Sequence, residues 1–214
     1  MKRREFSALS LSALSGMALN PVLAQNTGFK AGTDYLALKD RVPTEVGKGK
    51  IEVLEFFWYN CPHCNAFEPA LSAWSKKLPK DVELKRVPVR FREDFEVQQR
   101  AFYVLEALGK VEALQAKMFA AIHVEHQNMA KLETLLPWAE KNGIPQKQFS
   151  DLYNSFTVIG KARRAAQLQE QFKVEGVPAL GIGGRFYVDG TLAGSMERAL
   201  QIADFLTSEI RQGR

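Results

Sequence analysis

The sequence predicts an α/β fold in which a block of helices interrupts one sheet-and-helix unit. Three observations lead to this prediction. Residues 51–58 (IEVLEFFW) are almost all apolar, which is typical of a strand buried on both faces, and a helix and a second strand follow. Residues 95–172 carry apolar side chains at helical spacing. Strand signals return at residues 178–188, before a last helix.

The composition is that of an ordinary globular protein. The chain has 214 residues, of which 46% are hydrophobic and 25% charged, and these values exclude a collagen-like or wholly disordered chain. The formal net charge is +5. No basic cluster is interleaved with aromatic residues, so nothing in the sequence indicates a nucleic-acid-binding protein.

Residues 1–24 have the organisation of an export signal. Basic residues at positions 2–4 precede a stretch of small and aliphatic residues, and residues 22–24 (VLA) predict cleavage after Ala24. The apolar stretch is shorter than the roughly 20 residues that a membrane span needs. The alternative is an amphipathic helix of the mature fold, which Pro21 and poor helical spacing disfavour. The basic residues leave both the Sec and the twin-arginine export routes open.

The first strands follow from local patterns. Residues 35–39 predict an edge strand and residues 51–58 the central strand. Side chains alternate along a strand, so Glu55 lies on a face whose other members are apolar. This carboxyl group is either buried there, reaches out to solvent, or pairs with Lys85 or Arg86 of the following strand.

A helix is predicted from Cys61 to about residue 78. Pro62 falls in its first turn, where a missing N–H costs nothing, and Pro69 lies inside it and should kink it. Residues 82–89 predict the second strand.

The long central stretch, residues 95–172, is predicted to be helical throughout. Gly109 and Gly143 fall where helix C-caps belong. Pro145 fits the first turn of another helix.

The last part of the chain predicts a hairpin and a helix. Residues 178–182 and 185–188 flank Gly183-Gly184, a two-residue turn signal. Residues 196–210 have one apolar side and predict an amphipathic helix.

These elements divide the mature chain into two parts. Residues 25–90 and 159–214 together form the predicted sheet-containing domain. Residues 91–158 form the predicted inserted helical domain.

The chemistry is expected at Cys61-Pro62-His63-Cys64, which contains both cysteines of the chain. A cysteine exchanges disulfides only as a thiolate, so a reactive one needs a lowered pKa. Cys61 precedes a helix, whose free N–H groups and dipole favour an anion. His63 can add a hydrogen bond or a positive charge. We expect an exposed Cys61 to react with partners and a more interior Cys64 to resolve the mixed disulfide.

Three other interpretations compete with this one. A disulfide that closes so small a ring stabilises the folded protein by only about 2 kcal/mol through its effect on the unfolded chain. A purely structural role is therefore a poor explanation of the cysteine pair. A zinc site needs two further ligands, for which His123 and His126 are the candidates, but we expect both on a solvated helix face. Covalent haem attachment is excluded because Asn65 stands where a histidine is required.

Residues 56–69 (FFWYNCPHCNAFEP) resemble the active-site segment of the DsbA family of periplasmic thiol oxidases, and the resemblance extends over about residues 35–210. It implies a thioredoxin fold with an inserted all-helical domain. It also implies a cis peptide between Val177 and Pro178, facing the cysteines, with the Val177 backbone free to pair with a bound substrate strand. Without the resemblance, Pro178 is interpreted as an ordinary strand-initiating proline.

The resemblance assigns Glu55 the role of a buried acid beneath the cysteines, which handles a proton near Cys64. Its pKa is expected to be raised by desolvation. The chain departs from the family at two places. Arg86 stands where a lysine is common, and an arginine cannot act as a proton relay because it does not give up its proton. Asn60 stands where an aromatic residue is common.

The implied activity is that of a periplasmic oxidoreductase that donates its Cys61–Cys64 disulfide to newly exported proteins. The implied partner is a DsbB-like, quinone-linked membrane protein, and no cofactor or metal is implied. A disulfide isomerase, a reductase and a metal- or peptide-binding module without turnover are the alternatives. Isomerases of this class carry an N-terminal dimerisation domain, for which the residues before Cys61 leave no room, so we expect a monomer.

Overall fold

A computed structural model describes residues 28–214, and the predicted export signal lies outside these residues. A mixed five-stranded sheet has the order β1-β5-β4-β2-β3. Its central strand β2 pairs parallel to β3 and antiparallel to β4. The remaining neighbours, β4 with β5 and β5 with β1, are antiparallel. The strands are β1 (Leu36–Ala37), β2 (Ile51–Phe57), β3 (Val82–Pro88), β4 (Ala179–Ile182) and β5 (Phe186–Asp189).

Eight helices complete the described part of the chain. One follows β2, five follow β3 after a short 3₁₀ turn at Glu93–Phe95, and two follow β5. They are α1 (Pro62–Ser75), α2 (Glu96–Ala107), α3 (Val111–His123), α4 (Leu132–Lys141), α5 (Gln146–Tyr153), α6 (Phe156–Gln171), α7 (Gly190–Ala193) and α8 (Met196–Arg211). No helix among residues 28–214 combines the length and apolar character that crossing a membrane requires.

Helix α1 begins where the sequence predicts. Cys61 is the N-cap residue, and its sulfur accepts a hydrogen bond from the Cys64 N–H. Pro62 occupies the first turn. The helix continues through Pro69 and ends at Ser75, three residues short of the predicted end. The β2-α1-β3 unit therefore delivers Cys61 to the carboxyl edge of the two parallel strands.

The sheet separates two apolar cores. On one side, α1 and α8 pack against β2, β4 and β5, with Val53, Leu71 and Leu180 at the centre. On the other side, Leu54 and Phe56 of β2 join the side chains of α2 to α6 in a single larger core. The helical block therefore has no core of its own that is separate from the sheet.

The predicted turns and caps agree with the structure, with small exceptions. Gly183 and Gly184 both have positive φ, 58° and 65°, as a two-residue hairpin requires. Gly109 and Gly143 follow the C-caps of α2 and α4 with φ of 64° and 78°. Pro145 precedes α5 as its N-cap instead of standing in its first turn.

The sequence did not predict α7, a four-residue helix between β5 and α8. Asp189 caps it by accepting hydrogen bonds from the N–H groups of Thr191 and Leu192. Helix α6 starts just before the predicted domain boundary at residue 159 and continues to Gln171. One helix thus runs across that boundary, and the division into two domains stays a prediction.

Candidate active site

The two cysteines lie at the start of α1 and differ in accessibility. Both are free thiols, so the structure represents the reduced protein. Cys61 keeps 8% of its surface exposed and Cys64 none. Cys61 is therefore less exposed than the sequence predicted, because the Val177 loop lies against its sulfur. The predicted difference between the two sulfurs is nevertheless present, since only Cys61 is accessible to a partner.

The environment of Cys61 favours a thiolate. Its pKa is lowered from 9.0 to about 6, first by the hydrogen bond from the Cys64 thiol and then by the backbone N–H groups of Cys64 and His63. Partial burial opposes this shift. The positive charge of His63 makes the smallest of these contributions, and the imidazole itself is exposed. The helix N-terminus therefore does more for this thiolate than the histidine side chain does.

Cys64 has the opposite character. Burial raises the pKa of its thiol strongly, and the neighbouring Cys61 sulfur and the charge of Glu55 raise it further. At neutral pH the reduced pair is thus one thiolate and one thiol, with the charge on the more accessible sulfur.

The Val177-Pro178 peptide is cis and faces the cysteine pair. The Cys61 sulfur lies 3.4 Å from the Val177 carbonyl oxygen, to which it donates a hydrogen bond when it is protonated. Val177 is half-buried, whereas Pro178 is buried. A groove of about 320 Å³ adjoins this loop; it is lined by His63, Gly176, Val177, Pro178, Asp189, Gly190, Thr191 and Met196. The groove shares Val177 with the surroundings of Cys61, because the Val177 carbonyl contacts the Cys61 sulfur.

Beneath the cysteines lies a buried ion cluster that the sequence predicted only in part. Glu55 is fully buried, and one of its oxygens lies 2.6 Å from the Arg86 guanidinium. Arg86 also donates two hydrogen bonds to Glu68, at 2.7 and 2.8 Å. The second oxygen of Glu55 has no hydrogen-bond partner within residues 28–214. One guanidinium therefore serves two carboxylates, and Glu55 is the less well paired of the two.

Burial raises the pKa of Glu55 from 4.5 to about 7, against the lowering effect of Arg86, and repulsion from Glu68 adds to the rise. This carboxyl group can therefore hold or release a proton near neutral pH, as expected from its apolar face. Glu68 was not predicted as a site residue. The signal was present, because Cys64, Glu68 and Leu71 recur at helical spacing on the buried face of α1.

Three further polar side chains of the site were missed or misplaced. Gln98 and Gln115 are buried and contact the residues just before Cys61. The prediction that His123 lies on a solvated face is wrong, since its Nε2 lies 2.8 Å from the Tyr59 carbonyl oxygen. The prediction holds for the exposure of His126, although it follows α3 instead of lying on it.

The two histidines do not meet the cysteines to form a metal site. Within the described residues, no group of three or more His, Cys, Asp or Glu side chains is arranged to hold a metal ion. His123 is engaged by a backbone carbonyl instead.

A cysteine pair that opens the helix of a β-α-β unit, opposite a cis-proline loop, defines a thioredoxin-fold thiol:disulfide oxidoreductase. Comparison with known proteins narrows this class. The family described as DSBA-like thioredoxin domain matches residues 52–201. The chain belongs to the DsbA family.

Relatives and solved structures agree with this assignment. Burkholderia cepacia thiol:disulfide interchange protein DsbA is 34% identical over 98% of both chains. The Pseudomonas aeruginosa protein of the same name is 37% identical over 95% of this chain and 93% of its own. The crystal structure of Pseudomonas aeruginosa DsbA superposes with a TM-score of 0.82 at 37% identity, covering 86% of this chain and 96% of that one. Xylella fastidiosa DsbA gives 0.80 at 30% identity, with coverages of 86% and 98%.

Proposed function

We propose that this oxidoreductase works in the periplasm as a dithiol oxidase, donating the Cys61–Cys64 disulfide to newly exported proteins. The observation that carries the proposal is the contrast between the two sulfurs. A lowered pKa at Cys61 stabilises the reduced pair, and a pair that is stable when reduced is a strong oxidant when oxidised. A low-pKa, strongly oxidising cysteine pair is a known property of DsbA, and the direction of the Cys61 shift agrees with it.

The proposed disulfide exchange proceeds in two steps, each of which breaks one sulfur–sulfur bond and forms another. A substrate thiolate attacks the Cys61 sulfur of the disulfide, and Cys64 leaves and takes a proton to become a thiol. A second substrate thiolate attacks the substrate sulfur of this mixed disulfide, and Cys61 leaves as the stabilised thiolate. Two electrons pass from the substrate dithiol to the cysteine pair, and the substrate gains a disulfide.

The remaining predicted residues have supporting roles in this proposal. Glu55 supplies the proton that Cys64 takes up, since its pKa of about 7 allows transfer near neutral pH. The Val177 backbone pairs with the substrate strand in the groove beside Pro178. Pro62 fixes the first turn of α1, and the N–H and imidazole of His63 stabilise the Cys61 thiolate.

The partners are part of the proposal. Reduced exported proteins are the substrates, and a DsbB-like, quinone-linked membrane protein returns the pair to its disulfide form. The protein acts as a monomer, after cleavage of the export signal at Ala24.

The stability of the two redox forms tests the oxidant proposal. Reduced protein should unfold at a higher temperature than oxidised protein, because only the reduced form contains the thiolate. The Cys61 pKa is lowered on folding, so its stabilisation is full above pH 9.0 and is lost as the pH falls through about 6. The difference between the two melting temperatures should therefore shrink on acidification. Oxidised protein that melts higher than reduced protein at pH 8 would contradict the proposal.

An equilibrium titration against glutathione separates the oxidant from its alternatives. An oxidant keeps its cysteines reduced in buffers that oxidise a reductase. Cys61→Ser should abolish oxidation of a reduced substrate protein. Unchanged activity in that variant would remove Cys61 from the mechanism, whereas an unmodified protein that oxidises no substrate would favour a binding module without turnover.

A further inference from the structure

The residues just before Cys61 are held by the helical block. We call residues 58–60 the pre-cysteine turn. Strand β2 ends at Phe57, so Tyr59 lies beyond the sheet ladder, yet it is only 1% exposed. A buried carbonyl needs a donor. His123, in the last turn of α3, provides one, with Nε2 at 2.8 Å from the Tyr59 oxygen. Because a carbonyl only accepts, His123 donates its Nε2–H.

Two buried glutamines hold the same turn. The Tyr59 hydroxyl donates to Gln115 Oε1 at 2.6 Å, and Gln98 Nε2 donates to the side-chain oxygen of Asn60. Gln98 belongs to α2 and Gln115 to α3, and each is 2% exposed. The turn is thus held at a backbone atom and at two side chains by helices that follow it by 38 to 64 residues.

Aromatic packing fixes the donor. The His123 ring stacks on Phe119 with 6.1 Å between centroids, and Phe119 meets the Tyr59 ring edge-on at 5.3 Å. The same side chain therefore orients both the donor ring and the residue that accepts from it.

The position of this turn decides where the nucleophilic sulfur lies. The Cys61 N–H donates to the Trp58 carbonyl at 3.1 Å, so the turn and the start of α1 move together. The Cys61 sulfur accepts from the Cys64 N–H and faces the Val177 carbonyl, both at 3.4 Å. Hydrogen bonds weaken steeply as their geometry degrades. A small shift of the turn would therefore change the groups that surround the sulfur.

We propose that His123 is a positioning residue, which fixes the pre-cysteine turn through its hydrogen bond to the Tyr59 carbonyl and thereby sets Cys61 at the N-terminus of α1. The helical block then serves the reaction directly, as the support of the nucleophile. This inference rests on the proposed function in one respect, that Cys61 reacts as a stabilised thiolate.

The test compares two replacements of the same ring. His123→Leu removes the donor, whereas His123→Gln keeps an N–H at a similar reach. We expect His123→Leu to raise the pH midpoint of the Cys61 thiolate absorbance, and to weaken oxidation of glutathione roughly three- to tenfold, the worth of one hydrogen bond. His123→Gln should restore both readouts. Should His123→Leu fail to fold, His123→Met takes its place.

His126→Asn is the matched control, because His126 is exposed three residues away and has a φ of 55°, which asparagine tolerates. It should leave both readouts unchanged. A folded His123→Leu variant with an unchanged thiolate midpoint overturns the inference. A His123→Gln variant whose thiolate midpoint shifts as far as that of His123→Leu also overturns it. An ordinary thiolate midpoint in the unmodified protein would instead contradict the proposed function, so the two failures are distinguishable.

Discussion

At the scale of single residues, the site contains two cysteines and two glutamates, and within each pair the two side chains have different surroundings. Cys61 and Cys64 are three residues apart, and their pKa values move in opposite directions. The Cys61 sulfur accepts hydrogen bonds from the Cys64 thiol and from backbone N–H groups at a helix start, whereas the Cys64 sulfur is enclosed. Glu55 and Glu68 share one guanidinium, but only Glu68 has both oxygens bonded to it. Position within a few ångströms thus decides which group carries charge.

Glu55 should reduce the stability of the protein at neutral and alkaline pH. Its pKa is raised from 4.5 to about 7, so the folded protein retains a proton that the unfolded chain releases between those values. The penalty is absent below pH 4.5 and complete above about pH 7. We expect Glu55→Gln to raise the free energy of unfolding at pH 8, by on the order of 3 kcal/mol, and to change it little at pH 4.

Urea unfolding of the reduced protein at both pH values measures this effect. Glu68→Gln is the informative comparison, because it breaks the two-bond pairing of Arg86 and should destabilise the protein by about 3 kcal/mol. A loss of stability in Glu55→Gln at pH 8 would mean that the attraction of Arg86 outweighs the cost of burial.

At the scale of elements, turns and caps place the reactive groups. The β4–β5 hairpin carries Pro178 at its start, and its turn closes against the chain before β2. The Val42 N–H donates to the Gly184 carbonyl at 2.8 Å, and a Cβ at Gly184 would lie 2.0 Å from the Val42 carbonyl oxygen. Only glycine satisfies both the positive φ and this close approach.

Gly184→Ala should therefore destabilise the protein far more than an ordinary glycine replacement. Gly109 is the matched control, because its φ of 64° nearly equals the 65° of Gly184, while no atom beyond its own chain neighbours lies within 4 Å of the position that a Cβ would take. We expect Gly109→Ala to cost about 1 kcal/mol, the cost of the left-handed conformation. Gly184→Ala should cost roughly 3 kcal/mol or more, since a backbone atom must also move. Equal losses in urea unfolding would show that the hairpin turn adjusts without strain.

At the scale of the whole molecule, the sheet and the helical block share one core. Phe57 of β2 packs against Phe102 of α2 and Phe119 of α3, with ring centroids 5.3 and 6.3 Å apart. Surface ion pairs, such as Arg164 with Glu45, also link the helical block to the sheet-containing part. Exposed ion pairs contribute little to stability. Apolar burial is thus what joins the two parts.

The two parts should unfold in a single transition. Trp74 lies in α1 and Trp138 in α4, so each reports on one part of the molecule. In variants that carry either Trp74 or Trp138 as their only tryptophan, we expect the urea midpoint from fluorescence to coincide with the midpoint from backbone circular dichroism. A transition reported by Trp138 that precedes the loss of circular dichroism in the same variant would show that the helical block is an independent folding unit.

Local sequence patterns were enough to predict the order of the strands, the helix that begins after Cys61, the glycine turn and the apolar face on which Glu55 lies. These follow from short-range periodicity and turn chemistry, which a local stretch of chain already contains. Three long-range contacts became visible only in the folded molecule. The Val177 carbonyl contacts the Cys61 sulfur across 116 residues, Arg86 binds both Glu55 and Glu68, and His123 donates to the Tyr59 carbonyl. Such contacts depend on how the helices pack on the sheet, and no local pattern records that packing.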